Sequence, residues 1–197
     1  MAAPQQTLEQ FRELDLNLEH LLWPNRGAAV RSLLNVEFSP RYMPGKRLED
    51  GKLLAAPKTT WCNVYLTDCI KAMGIAAPRH WMTSKGEPAA QGKGLELRAN
   101  ELLDWFETHG ARYGWMSADS RVAQEAAARG HFVVVGWRNP KRPEPGHVAW
   151  CIGNDRITQA GAKNYFVCTV RMGFGRGSDS PDLEWYVQMD RPGGHNG

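Results

Sequence analysis

The chain has 197 residues, of which 42% are hydrophobic and eight are tryptophan, so it is long and apolar enough for one folded domain and is not a disordered chain. Its net charge of +3 comes from scattered Lys and Arg, and no apolar run reaches the length of a membrane span, so we expect neither a nucleic-acid partner nor membrane insertion. Its four cysteines include no C-x-x-C pair, which disfavours zinc ribbons and redox dithiols, so we expect free thiols without a metal or a cofactor.

The N-terminal part of the chain is predicted to be helical. Leucines and a phenylalanine at helical spacing predict an amphipathic helix over 7–22, which Pro24 ends. A second short helix is expected over 27–35. The segment 40–57 is rich in Pro, Gly and charge, which is typical of a long loop.

These patterns suggest how the chain is organised. We expect an N-terminal helical extension over 1–40, which is either separate or part of the main core, a main domain over 41–190 and a tail over 191–197. Residues 1–6 contain neither a basic stretch nor an apolar one, so we expect no conventional secretion signal.

A helix that begins with a cysteine is predicted over 62–73. Thr59 and Thr60 precede it, where a side-chain oxygen can accept a hydrogen bond from the first turn, and Gly74 follows it, where a left-handed glycine often ends a helix. Cys62 therefore lies at the positive end of the helix dipole, which favours the thiolate over the thiol. The buried stripe of this helix consists of Tyr65, Leu66, Cys69 and Met73.

The remaining elements predict an α+β fold. After a loop over 77–94, helices are expected over 97–109 and 119–129. Because the helices come first and the strands follow in a meander, we expect the cysteine helix to pack on one antiparallel sheet. The five predicted strands are 131–138, 147–152, 156–159, 166–171 and 183–188. The residues expected to be buried between this sheet and the helix are Leu66, Met73, Val133, Val135, Val148, Trp150 and Ile152.

A nucleophilic cysteine needs a base within hydrogen-bond reach and a third group that orients the base. His147 opens a strand directly after a Pro-Gly pair, and the tight turn predicted at 153–155 brings Gln159 back beside it. We therefore predict that Cys62 is the nucleophile, His147 the base and Gln159 the orienting group. His131 also opens a strand, but it is a weaker candidate for the base because it has no polar partner at hairpin distance.

Three blocks of the sequence are Thr-Trp-Cys-Asn-Val-Tyr, Pro-Gly-His-Val-Ala-Trp-Cys-Ile-Gly and Ile-Thr-Gln-Ala-Gly-Ala. They resemble the papain-like cell-wall cysteine hydrolases, namely the NlpC-type peptidases and the CHAP amidases, over residues 42–188. The resemblance implies a papain-like fold, in which the cysteine opens a helix packed on an antiparallel sheet of about five strands. Those families usually carry His, Glu or Asn as the third residue, so Asn164 is an alternative to Gln159.

The resemblance also implies an activity, which is hydrolysis of an amide bond in or next to the peptidoglycan stem peptide by a cysteine peptidase or amidase. Without a secretion signal, such a protein is synthesised in the cytoplasm and reaches the cell wall or periplasm by specialised secretion or by lysis. It is then either an antibacterial effector, which implies a cognate immunity protein, or a phage lysin. The candidate substrate-binding residues are Trp61, Asn63, His80 and Trp81.

Two interpretations from other classes stay open. The papain-like scaffold also serves acyltransferases and deamidases that act on proteins, which use the same thiol chemistry. The second alternative is a non-catalytic binding module, in which Cys62 is a core residue and the tryptophans form the binding surface.

Overall fold

The computed structural model describes residues 23–82, 87–89 and 93–189, so the helix expected over 7–22 and the tail over 191–197 lie outside the described residues. Within those ranges the chain forms an α+β fold with five α-helices. They are α1 Trp23–Leu33, α2 Cys62–Ala72, α3 Ala99–His109, α4 Ser120–Ala128 and α5 Val170–Phe174. Short 3-10 helices occur at Pro40–Tyr42 and Gly110–Tyr113.

The largest sheet has six antiparallel strands in the order β10-β9-β8-β7-β11-β6. Its strands are β6 Trp115–Ser117, β7 Val133–Trp137, β8 His147–Gly153, β9 Arg156–Gln159, β10 Tyr165–Thr169 and β11 Leu183–Gln188. All five predicted strands are present, and β7 and β8 pair in one sheet as expected. The short edge strand β6 was not predicted, and Val170 and Arg171, expected to end a strand, instead begin α5.

The two faces of this sheet bury different helices. Alternate strand residues such as Val134, Val148 and Trp150 pack in one core with buried side chains of α1, α2 and α3. Val133 and Val135 lie in a second core with the alanines of α4 and with α5. The expectation that these two valines pack against the cysteine helix is therefore wrong, because successive side chains of a strand point to opposite faces. Leu66, Met73, Val148 and Trp150 are buried as expected, and Ile152 is half-buried.

Helix α1 belongs to the core that contains the cysteine helix. Val30 in α1, together with Leu34 and Val36 just after it, is completely or almost completely buried there. Pro24 lies within α1, and the helix that it is expected to end lies outside the described residues. The described part of the N-terminal segment is thus packed into the same core as α2.

Two small antiparallel sheets flank the cysteine helix. The first is a hairpin of β1 Lys46–Glu49 and β2 Lys52–Ala55, in the segment expected to be a loop. Asp50 and Gly51 at its turn have φ angles of 48° and 75°, the pair of left-handed residues that a tight hairpin turn requires. The second sheet has the order β4-β3-β5. Its strands are β3 His80–Met82, β4 Glu87–Pro88 and β5 Leu95–Glu96.

None of the helices in the described ranges combines the length and the apolar composition that crossing a membrane would require.

Candidate active site

Helix α2 begins at Cys62, as the sequence predicted. The threonine cap expected there is absent, since the Thr59 hydroxyl donates to the carbonyl of Ala56 at 2.6 Å and Trp61, the N-cap residue, makes no side-chain cap. The backbone N–H of Asn63 is instead directed at the Cys62 sulfur. The first turn therefore presents its positive dipole end to the thiol rather than to a capping oxygen.

The other end of α2 is closed by Gly74. Its φ angle is 72°, and its N–H donates to the carbonyl of Lys71 at 2.9 Å. The N–H of Ile75 donates to Ile70 at 3.0 Å, which completes the usual pattern of a glycine-ended helix, as predicted. The last carbonyl groups of α2 therefore have backbone partners, which fixes this end of the helix that carries Cys62.

His147 is the first residue of β8, and Gln159 is the last residue of β9. A two-residue turn joins these strands, with φ angles of 53° at Asn154 and 57° at Asp155. The pairing brings Nε2 of His147 to 2.6 Å from Oε1 of Gln159, so the ring N–H donates to the amide oxygen. The amide nitrogen of Gln159 donates to the carbonyl of Lys163 at 3.4 Å, which fixes the orientation of the amide.

The ring of His147 lies close enough to Cys62 for its hydrogen-bonding capacity and charge to lower the pKa of the thiol. Because Nε2 is engaged with Gln159, Nδ1 is the nitrogen available to the thiol. The backbone N–H of Val148 also points at the sulfur. The structure thus brings Cys62, His147 and Gln159 together, with a hydrogen bond of 2.6 Å between His147 and Gln159.

The electrostatics of this cluster favour the charged pair. Burial is the largest effect on the pKa of Cys62 and raises it, but the hydrogen bond and charge of His147 and the two backbone N–H groups outweigh burial, so the pKa is lowered. For His147, burial acts to lower the pKa, whereas Cys62 and Gln159 raise it, and the net shift is upward. Both shifts favour a thiolate beside an imidazolium, the state in which a cysteine is nucleophilic.

Helix α5 covers the His147–Gln159 pair. The ring of Phe174 lies 4.9 Å from the ring of His147, measured between centroids. A β-carbon at Gly173 would lie 2.7 Å from Oε1 of Gln159 and would also collide with the side chain of Ile157. Glycine at position 173 therefore leaves the space that the amide oxygen occupies when it accepts from His147.

The alternative residues named from the sequence have other contacts. The Asn164 amide donates to the carbonyls of Val36 at 2.8 Å and Tyr42 at 2.9 Å, so it fastens the segment before α2 to the sheet rather than orienting His147. Nδ1 of His131 lies 3.0 Å from the carbonyl of Gln188.

Two of the candidate substrate-binding residues flank Cys62 and hold neighbouring segments. The indole N–H of Trp61 is shared between the carbonyls of Met43 at 3.0 Å and Lys46 at 2.9 Å, at the base of the β1–β2 hairpin. The side-chain amide of Asn63 donates to the carbonyl of Leu97 at 2.9 Å. Both small sheets are therefore joined to the start of α2.

His80 and Trp81 lie on β3 of the second small sheet. In the strand register His80 pairs with Glu96 and Trp81 with Leu95. The Trp81 ring packs edge to face on the ring of His109, with the centroids 5.0 Å apart. Since Leu95 and Glu96 directly precede the segment that Asn63 holds, this sheet is adjacent to the start of α2.

The other three cysteines lie in environments that favour the neutral thiol. All four cysteines are free and buried. Burial raises the pKa of Cys151 to about 12 and that of Cys168 to about 11, and it raises the pKa of Cys69 well above its usual value. Within the described ranges, no group of three or more His, Cys, Asp and Glu side chains is arranged to hold a metal ion.

No protein-family model matches this sequence, and no curated protein shows significant similarity to it. Its function is therefore inferred from the geometry of the Cys62–His147–Gln159 cluster and from the sequence blocks that contain it.

Proposed function

We propose that the protein is a papain-like cysteine hydrolase that cuts an amide bond in or next to the peptidoglycan stem peptide. The observation that supports this proposal most directly is that the ring of His147, hydrogen-bonded to Gln159 at 2.6 Å, lies beside Cys62 at the start of α2. In this arrangement the pKa of Cys62 is lowered and that of His147 is raised. A buried structural thiol has the opposite shift, as Cys69 does in the same helix. A thiol with an adjacent base and an oriented imidazole is the arrangement that covalent catalysis by cysteine requires.

The proposed reaction is acyl transfer to water in two steps. The Cys62 thiolate attacks the amide carbonyl to form a tetrahedral adduct, and the imidazolium of His147 protonates the leaving amine as the C–N bond breaks. A water molecule then attacks the thioester while His147 accepts its proton, and the C–S bond breaks. This releases the carboxylic acid and restores the Cys62 thiolate beside the His147 imidazolium. The backbone N–H of Cys62 at the helix start is the proposed donor to the oxyanion.

The fold supports the papain-like part of the proposal. The cysteine opens a helix that packs on an antiparallel sheet, the histidine starts one strand of that sheet, and Gln159 lies on the next. This is the order in which the papain-like cell-wall hydrolases, which the sequence blocks resemble, carry their three residues.

The proposed substrate, peptidoglycan, is inferred from the resemblance of the sequence blocks to the papain-like cell-wall hydrolases. On this proposal the protein acts at the bacterial cell wall or periplasm, as an antibacterial effector or as a phage lysin. An effector would require a cognate immunity protein that covers the site.

The proposal is tested by incubating the purified protein with peptidoglycan sacculi and identifying the released fragments by mass spectrometry. We expect soluble fragments whose new termini define one amide bond, and we expect none from Cys62→Ala. Undigested sacculi together with a reactive Cys62 would point to a protein substrate, and thus to an acyltransferase or deamidase. Undigested sacculi together with a Cys62 that iodoacetamide does not alkylate at pH 6 would favour the binding module.

A further inference from the structure

The connection that leads into His147 is long and exposed. Residues 138–146 join β7 to β8, and residues 140–145 within it are all exposed to solvent. Exposed loops are the more mobile parts of a fold, and His147 is the first residue after this one. A contact that fixes this loop from inside would therefore hold the backbone that leads into His147.

Asn100 in α3 provides such a contact. Its side chain is buried, with the residue only 2% exposed. Its amide oxygen accepts from the backbone N–H of Asn139 at 3.0 Å, and its amide nitrogen donates to the carbonyls of Asn139 at 3.2 Å and Glu144 at 3.3 Å. One side chain thus bonds to both arms of the loop, and these partners leave only one orientation for the amide.

The last residue of the loop lies directly against this amide. A β-carbon at Gly146 would be 2.5 Å from Oδ1 of Asn100 and would collide with the carbonyl of Trp137, the residue that pairs with His147. The close approach that glycine allows therefore couples Asn100 to the peptide that enters His147.

Helix α3 holds the same loop from its exposed side one turn further along. Asp104 accepts from the Arg142 guanidinium at 2.9 Å and also contacts Arg138 at the beginning of the loop. These charges are partly exposed and contribute little individually. The buried amide of Asn100 is therefore the main restraint that α3 places on the loop.

We propose that Asn100 is a positioning residue, which sets the position of His147 relative to Cys62 by fixing the 138–146 loop. This inference depends on the proposed function only in that His147 must act on Cys62. The hydrogen bonds of the Asn100 side chain go to the 138–146 loop, and none of them goes to the side chain of Cys62 or His147. A displacement of about 1 Å at a reacting group can cost on the order of 100-fold in rate, so a contact of this kind affects activity without taking part in the reaction.

The test compares Asn100→Ala with the wild type by the pH dependence of Cys62 alkylation. Iodoacetamide labels the folded protein between pH 5 and pH 9, and peptide mass spectrometry locates the label on Cys62. We expect Asn100→Ala to move the reactivity of Cys62 toward that of an ordinary thiol, with a fall of about tenfold or more at pH 6. Because alkylation needs no substrate, this result is independent of whether peptidoglycan is the substrate.

Gln188→Ala is the matched control. Gln188 is also a buried amide, 5% exposed, and it donates to the carbonyl of Tyr113 at 3.0 Å, in a part of the sheet that does not touch His147. We expect this variant to lose stability like Asn100→Ala but to keep the wild-type pH profile. A shift of the same size in Gln188→Ala would make the effect one of general stability and would overturn the proposal.

Asn100→Asp keeps the test decisive if Asn100→Ala does not fold. The aspartate has the same shape and still accepts from Asn139, but its carboxylate cannot donate to the two carbonyls. The buried carboxylate oxygen would face the two carbonyls and repel them, so we expect a loss of Cys62 reactivity at least as large as in Asn100→Ala, with the fold checked by circular dichroism. A folded Asn100→Asp or Asn100→Ala variant with the wild-type profile would refute a positioning role.

Discussion

Cys62 and Cys69 lie on the same helix, two turns apart, and are both buried, with exposed fractions of 4% and 0%. Their pKa values nevertheless shift in opposite directions. Burial raises the pKa of Cys69, and the neighbouring charge of Asp68 adds to that effect, while the hydrogen bond from Tyr65 opposes it only in part. At Cys62 burial also raises the pKa, but His147 and two backbone N–H groups reverse the net shift.

The difference shows that burial alone does not decide the direction in which the pKa of a thiol shifts. What separates these two is the supply of donors around the sulfur. The start of a helix leaves N–H groups without partners, whereas the middle of a helix has used every N–H in its own hydrogen bonds. A base can therefore act together with free N–H groups to lower the pKa of the thiol at the helix start, whereas in the middle of the helix no free N–H group is available.

The largest effect should follow from removing each sulfur in turn. Cys62→Ala is expected to reduce hydrolysis by a factor on the order of 10⁴ or more, because the covalent step then has no nucleophile. Cys69→Ala should retain nearly full activity, since that thiol faces Tyr65 rather than the site. Release of fragments from sacculi measures both. Equal activities of the two variants would mean that the helix start has no special chemistry.

His147→Ala should remove the feature that makes the two cysteines different. Without the imidazole, burial dominates at Cys62 and its pKa should rise above the ordinary value, as at Cys69. We expect hydrolysis to fall on the order of 10²- to 10⁴-fold and alkylation of Cys62 at pH 6 to become as slow as that of Cys69. Rapid alkylation in this variant would assign the low pKa to the helix dipole instead.

The wild-type pH profile of hydrolysis should reflect the same pair. The acidic limb should lie below 9.0, the ordinary thiol value, because the pKa of Cys62 is lowered. The alkaline limb should lie above 6.5, the ordinary histidine value, because the pKa of His147 is raised and the protonated ring is the acid of the first step. Measuring kcat/KM against pH gives both limbs.

Gln159→Ala should have a smaller effect than the loss of either charged partner. The neutral amide orients the ring of His147 but adds no charge, so we expect a loss of about 10- to 100-fold in kcat/KM. Gln159→Glu is the informative companion, because its carboxylate would favour the imidazolium and should move the alkaline limb to higher pH. An unchanged limb in Gln159→Glu would mean that the side chain at 159 does not contact His147 in solution.

The smallest effect concerns stability rather than activity. Cys69→Ala leaves a small gap in the core and should lower the free energy of unfolding by about 1 kcal/mol. Urea denaturation of the two alanine variants compares the sites directly. A loss for Cys69→Ala much larger than about 1 kcal/mol would contradict this expectation.

Much of the large sheet could be predicted from local sequence, because its β-branched runs and its turn at Asn154 and Asp155 have strong local signals. The contact between His147 and Gln159 followed from hairpin spacing in the same way. The β1–β2 hairpin was missed although Asp50-Gly51 is a strong turn signal, because the surrounding Pro, Gly and charge favoured a loop. Asn100 has no local signal, since its partners lie 39 and 44 residues away in sequence.

The cap of α2 illustrates a different limit. Thr59 and Thr60 have the right chemistry and nearly the right position, but the helix begins at Cys62 and Thr59 bonds backwards to Ala56. Sequence rules predict a threonine N-cap at this position because such a cap stabilises the helix. The start of α2 lacks that stabilisation, and the surroundings of Cys62 include His147 on β8, a strand that is distant in sequence.

The packing around Gly173 restricts which residues the gene can encode at this position. It has no side chain to contribute, yet an alanine there would push the Gln159 oxygen away from His147. Arg171 and Met172 are both exposed, so substitutions there are expected to leave the His147–Gln159 contact in place, whereas position 173 has to remain glycine for that contact to persist. A homologous gene that codes for another residue at position 173 is therefore expected to encode a protein without this contact.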